Sequence, residues 1–274
     1  DDVRLSIRVG LSAGRVMVAS VGGIQNRWQC LFAGDPMHEL GAVGNMGESG
    51  EIMLTPTVQE MLGDSSRARG LADGYARLEA LNGSFPLRSA EIRSLSMAAE
   101  PGLRAYVPEP VLANIDSGQT GWLAELRRVT VVFINLPTLD YSADDILQRL
   151  QSATVAMMEA IHRYGGAVNQ FLEDDKGTTL LAAWGLPAGT HEDDPTRALR
   201  AALEIQSRLS DLGVEAKIGV ATGRVFCGNR GNELRREYAM FGSTMNLASR
   251  LMQAASDAIL CDESTYFGAS EQAS

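Results

Sequence analysis

The run RRVTVVFINL, residues 127–136, is almost continuously apolar and rich in β-branched residues. That is the pattern of a buried strand. It leads into ADDILQRLQSATVAMMEAIHRYGG, where Ile146, Leu150, Ala153, Met157 and Ile161 recur at helical spacing and Gly165 supplies a stop. AVNQFLEDDKGTTLLAAWG then predicts two strands joined at an Asp-Lys-Gly turn. DDPTRALRAALEIQSRLSDLG predicts a second helix, with Pro195 near its start and Gly213 past its end. VEAKIGVATG completes the series as a fourth strand. The order β-α-β-β-α-β is the ferredoxin-like arrangement, an α+β fold. Beyond it YAMFGSTMNLASRLM reads as strand, Gly turn and helix. Met245, Ala248, Leu251 and Met252 form an apolar stripe on that helix, while Asn246 and Arg250, one turn apart, share another face.

The pattern occurs twice. IRVGLSAGRV (7–16) matches AKIGVATGRV (216–225), and CLFAGDPMHEL aligns with YAMFGSTMNLASRL, Gly34 against Gly242. Both copies run on into a strand-like piece, GEIMLTP and DAILCDE. The repeat predicts two related domains in tandem, forming a pseudo-twofold pair. The first copy starts at its fourth strand, so the chain reads as a fragment of a longer protein with the first domain truncated at its N-terminus. Residues 63–121 are richer in Gly, Ser, Ala and Pro, and are expected to hold the end of the first domain and a connection, with a strand at SAEIRSL and a short helix at EPVLANI. The expected division is 1–105 for the first domain and connection, 106–126 for a linker with the short helix, and 127–274 for the second domain.

Composition narrows the function. The 274 residues are 45% apolar and 21% charged, enough for a substantial core and against wholesale disorder. No segment approaches the roughly eighteen uninterrupted apolar residues of a membrane span. The start, DDVRLSIRVG, lacks the basic region and apolar run of a signal peptide. A net charge of −10 disfavours nucleic-acid backbones but leaves room for a small anionic substrate held by a local positive site. Cys30, Cys227 and Cys261 are few, odd in number and not at metal-ligand spacing, and are expected to be reduced core thiols of a cytoplasmic protein.

The strings LRRVTVVFINL, DKGTTLLAAWG, IGVATGRVFCGNRGNELRREYAMFGSTMNLASRLM and ILCDESTY resemble the second catalytic domain of class III nucleotidyl cyclases. The likeness is to the soluble, bicarbonate-responsive type of adenylyl cyclase and its bacterial relatives. IRVGLSAGRV, RWQCLFAGD and GEIMLTP resemble the end of the first catalytic domain. The resemblance implies that two domains pair, that ATP binds between them, and that it becomes cyclic AMP and pyrophosphate. It implies two Mg2+ or Mn2+ ions held by first-domain aspartates, expected upstream of Asp1, with no metal ligands in this chain. It also implies further regulatory domains in the full-length protein and no activity from this fragment alone. Asn246 and Arg250 take the positions of the catalytic Asn and Arg. Arg8 matches a basic position that contacts the nucleotide phosphates; its alternative is a solvent-facing strand residue. Gln170, Ala239 and Met240 fall at the positions that read the base.

Several residues depart from the family pattern. The first copy has His38 and Ala42 where the second has Asn246 and Arg250, so its own pocket is expected to be silent and His38 to be a packed interface residue. Asn135 and Thr178 stand at the second domain's metal positions and cannot replace carboxylates. Gln170 replaces the usual Lys and can serve adenine or guanine, while Ala239 leaves only backbone groups to bond the base. Gly41 replaces the bicarbonate-binding Arg. An adenylyl cyclase is the reading adopted. A guanylyl cyclase, and a degenerate nucleotide-binding regulatory module without turnover, stay open beside it. A diguanylate cyclase shares the core order, but no GGDEF-like turn is present.

Overall fold

The computed structural model describes residues 6–85, 96–116, 118, 125–187, 189–231, 236–256 and 258–270. The expected strand SAEIRSL, residues 89–95, lies outside them. The elements run β1 (Val9–Leu11), β2 (Met17–Ile24), β3 (Arg27–Ala33), α1 (Asp35–Met46), β4 (Ile52–Leu54), α2 (Pro56–Leu62), β5 (Ser66–Gly70) and β6 (Ala76–Leu81). After them come α3 (Glu100–Arg104), α4 (Glu109–Asp116), β7 (Glu125–Leu136), α5 (Ile146–Arg163), β8 (Ala167–Asp174) and β9 (Gly177–Trp184). The chain continues with α6 (Asp194–Asp211), β10 (Lys217–Gly231), β11 (Arg236–Phe241), α7 (Ser243–Ala254), β12 (Ile259–Cys261) and α8 (Glu263–Ser270). Two compact units emerge. One is drawn from Asp1–Ala19, Phe32–Met97 and Glu173–Lys176, the other from Ser20–Leu31, Ala98–Leu172 and Gly177–Ser274. No helix among the described residues is long and apolar enough to cross a membrane.

The larger unit holds the expected fold. Its sheet has the order β11-β10-β7-β9-β8, with β12 also pairing with β10. The middle strands are central because they are apolar on both faces. Val132, Ile134, Leu180, Ala182 and Val220 are fully buried on one face. There Thr222 shares a hydrogen bond with Thr265 of α8, and α8 packs on α6. Val129, Val131, Leu181, Ala183, Tyr238 and Met240 line the other face, in one cluster with Ala248 of α7. The helix stripe read from the sequence is what buries α5: Leu150, Ala153, Met157 and Ile161 have no exposed surface.

The repeat is structural as well as sequential. β1 pairs with β4 in parallel, Val9 opposite Ile52, and β10 pairs with β12 in parallel, Ile218 opposite Ile259. Aligned residues thus occupy the same register in both copies. Thr55 N–H donates to Leu11 O at 3.0 Å, and its counterpart Asp262 N–H donates to Val220 O at 3.1 Å. Gly34 and Gly242 cap α1 and α7 with positive φ, where a side chain would be strained.

The first copy also departs from its expectation. IRVGLSAGRV is not one strand: β1 ends at Leu11, β2 starts at Met17, and Arg8 precedes β1. The four-stranded sheet β1-β4-β6-β5 includes β5 and β6, which the sequence reading missed. Their sequences, SRARG and ARLEAL, carry too many charged and small residues to read as strands. Two further corrections concern exposure. Cys30, on β3, is exposed rather than a core thiol, whereas Cys227 is buried and Cys261 half-buried. His38 is exposed on α1 rather than packed.

Glu173 illustrates the cost of burying a carboxylate. It is 6% exposed and accepts a hydrogen bond from Gly34 N–H at 3.0 Å. Burial holds its carboxyl above the ordinary range; the Gly34 N–H and His38 pull it back, and Asp35 and Asp174 add to the rise. A raised value in the folded state means that ionisation opposes folding. The group's contribution is intact below its unfolded-chain value, about pH 4, and is lost as pH rises through the raised folded value. Glu173→Gln keeps an acceptor for Gly34 but carries no charge. Its denaturation midpoint relative to wild type should therefore climb as pH rises above about 4. A difference that does not change with pH would contradict this account.

Candidate functional site

Both crossover helices of the βαββαβ core take one face of the larger unit's sheet. Among the described residues, the other face carries α7, a piece of the connection and Gln29 and Cys30 of β3, and a cavity of about 820 Å3 remains there. Its floor is made by side chains that the strand alternation places on this face: Phe133 of β7, Phe171 of β8, Leu181 of β9, and Tyr238 and Met240 of β11. A flat floor of aromatic and aliphatic groups suits a planar ring.

The three expected base-reading residues come together here. Gln170 of β8 and Ala239 and Met240 of β11 all line the cavity, although about seventy residues of chain separate them. Gln170 is exposed, Ala239 half-buried and Met240 buried. Polar side chains, among them Gln29, Asn169, Arg230 and Glu237, also line it. Asn169 lines the cavity with a buried Oδ1 that has no hydrogen-bond partner. Arg230 and Glu237, both exposed, oppose each other across β10 and β11, and the Arg230 guanidinium stands 5.9 Å from the centre of the Phe241 ring. Burial pushes the phenol of Tyr238, which lines the cavity, and the thiol of Cys227, in the cluster behind it, up from their ordinary values.

Asn246 and Arg250 are exposed on α7, one turn apart, and Met245, next to Asn246, lines the cavity. The two are not themselves among its lining residues. Their helix is held by Ala248 and Met252, which are buried against the sheet. Arg8 belongs to the smaller unit, where its guanidinium donates to Asn45 Oδ1 at 3.0 Å and to Gly47 O at 3.5 Å. Sequence reasoning missed Asn169 and Arg230. Period-2 alternation placed Asn169 with Phe171 on the cavity face and could have found it; nothing in the sequence singles out Arg230.

The described residues do not fit a pair of divalent ions. The Asn135 amide donates to Thr179 Oγ1 at 3.1 Å, and the Thr178 hydroxyl is bonded to the Tyr141 hydroxyl. No group of three or more His, Cys, Asp or Glu among the described residues could hold a metal ion.

A family model for the adenylate and guanylate cyclase catalytic domain matches residues 128–267. Adenylate cyclase type 10 of Rattus norvegicus is 28% identical over 97% of this chain, and that of Homo sapiens 29% over the same share. The chain spans only 18% of the length of these curated relatives. An uncharacterized protein of Mycobacterium tuberculosis is 32% identical over 54% of this chain and 27% of its own length. Among solved structures, the adenylyl cyclase CyaB from P. aeruginosa superposes with a TM-score of 0.50 at 22% identity, covering 54% of this chain and 83% of that one. A bacterial light-regulated adenylyl cyclase gives a TM-score of 0.53 at 20% identity, covering 62% of this chain and 54% of that one. At these identities the solved structures speak for the fold alone.

Proposed function

The chain belongs to the adenylate and guanylate cyclase catalytic domain family, and from that premise we propose that it supplies the nucleotide-binding half of an adenylyl cyclase, converting ATP to cyclic AMP and pyrophosphate. The observation that carries the proposal is the convergence of Gln170, Ala239 and Met240 on one apolar cavity beside α7, the helix bearing Asn246 and Arg250. In this reading the base lies on the floor of Phe133 and Phe171. Gln170 and the backbone of Ala239 and Met240 bond its edge, and the ribose and phosphates extend toward solvent. The ribose 3'-oxygen attacks the α-phosphorus as the bond to pyrophosphate breaks, and negative charge builds on the phosphoryl oxygens and the leaving group. The Arg250 guanidinium meets that charge with several directed donors. The Asn246 amide holds the ribose without adding charge. Arg8 is assigned to the phosphates. Divalent ions would need carboxylates other than Asn135 and Thr178 to hold them, and would supply Lewis-acid chemistry and charge neutralisation. Pairing of the two copies, further regulatory domains in the full-length protein and a cytoplasmic location belong to the same proposal.

A second reading has its own support. Gln170 and Ala239, standing where the family carries a Lys and a polar base-reading residue, favour a nucleotide-binding regulatory module without turnover. Assay of the full-length protein with ATP and with GTP, in Mg2+ or Mn2+, separates the cases. The proposal expects cyclic AMP to exceed cyclic GMP. Cyclic GMP in excess makes the protein a guanylyl cyclase, and nucleotide binding without either product makes it a regulatory module.

A further inference from the structure

The segment between the two cyclase-like copies reads from the sequence as a linker. The structure gives it another position. Residues 98–116 belong to the larger compact unit, and Tyr106, Val107, Pro108, Val111 and Ile115 line the cavity together with the sheet residues. Val111 also packs against the same core cluster as Phe133 and Met245. The helical spacing of Val111 and Ile115 puts both on one face of α4.

This placement is fastened at several points. Trp28 N–H donates to Ala105 O at 2.9 Å, and the Arg27 guanidinium donates to Arg104 O at 3.1 Å. The Tyr106 and Ser20 hydroxyls share a hydrogen bond of 2.6 Å. Arg104 forms an ion pair with Asp116 at the far end of α4. Ala105 and Leu112 are buried. Hydrogen bonds from the β2–β3 hairpin fasten residues 104–106, just ahead of α4, and Val111 packs α4 against the core cluster of the open sheet face. A tether with no role there would not need this set of contacts.

We propose that the connecting segment is part of the nucleotide site, with Val111 and Ile115 of α4 forming the wall that clamps the base against Phe133 and Phe171. The base then occupies an apolar slot, selected by ring size, and the unpartnered Oδ1 of Asn169 accepts a hydrogen bond from an N–H on its edge. A purine fills such a slot better than a pyrimidine, and both adenine and guanine carry edge donors. Ile115 and Val111 are thus specificity-determining residues. The inference rests on the proposed nucleotide-binding role of this cavity.

Equilibrium binding of ATP, UTP and inorganic tripolyphosphate to the chain, wild type and variants, tests it. Ile115 is 51% exposed, so substitutions there leave the core intact. Ile115→Ala should weaken ATP binding about three- to thirtyfold, the range for losing part of an apolar pocket contact. It should weaken UTP less, so the ATP-to-UTP affinity ratio falls, and leave tripolyphosphate unchanged. Ile115→Trp should weaken ATP at least about tenfold by overfilling the slot, again sparing tripolyphosphate. An equal loss for all three ligands, as a merely structural defect would give, overturns the proposal. Ala239→Trp reports on the cavity independently. If it abolishes ATP binding while both Ile115 variants bind ATP like wild type, α4 is not in the site and the cavity reading stands. If wild type binds no nucleotide, both fall.

Discussion

Replacing Arg250 by Ala in the full-length protein should lower kcat about a hundred- to a thousandfold, the usual loss for one preorganised group that meets developing charge. KM should rise by much less, because the charge that Arg250 meets exists mainly in the transition state. The exposure of Arg250 on a helix anchored by Ala248 and Met252 supports this expectation. Truncating the side chain should remove the guanidinium without disturbing the packing, so a loss of rate is not a loss of fold. Arg250→Lys should restore little, since an ammonium cannot reproduce the planar fork of donors. Ala42→Arg, at the aligned and exposed position of α1, should not substitute for it. Steady-state kinetics at saturating metal decide: an active enzyme whose kcat survives Arg250→Ala does not use Arg250. A protein without turnover would show no kinetic difference at all.

Gly219→Ala should destabilise the larger unit by about 3 kcal/mol, at the upper end of what overpacking costs. Gly219 is the third residue of β10, opposite Phe133 on one side and Leu260 on the other. An added Cβ would lie 2.2 Å from Met252 N and 2.3 Å from Ala248 O. Both are backbone atoms of α7, so no side-chain rotation can relieve the contact. The helix must lift from the sheet, and Asn246 and Arg250 move with it. The counterpart Gly10→Ala meets a side-chain atom first, Val43 Cγ1 at 2.9 Å, and then Gly44 N at 3.0 Å. It should cost clearly less. Chemical denaturation of both variants checks the pair; a Gly219→Ala loss below about 1 kcal/mol would contradict such close helix–sheet contact.

These two residues mark the boundary between what sequence and tertiary structure decide. The sequence alone determined the βαββαβ order, because β7 and α5 have long, strongly periodic apolar patterns that leave one solution each. It determined the repeat, because register and cap positions depend on local signals such as Gly34 and Gly242 that survive divergence. It also singled out Asn246 and Arg250, since one helical turn fixes their common face. Tertiary structure decided what local pattern does not encode. β5 and β6 are strands because neighbours supply their ladders, although their own residues are polar and small. Cys30 is exposed because of where its hairpin lies, and a thiol's propensity for burial could not foresee that. The cavity draws on β7, β8, β9 and β11 and on a helix from the connection, segments distant in sequence. Only folding brings Asn169, Met240 and Ile115 to one surface, because the apolar area left open on one sheet face is a property of the packed layers, not of any stretch of chain.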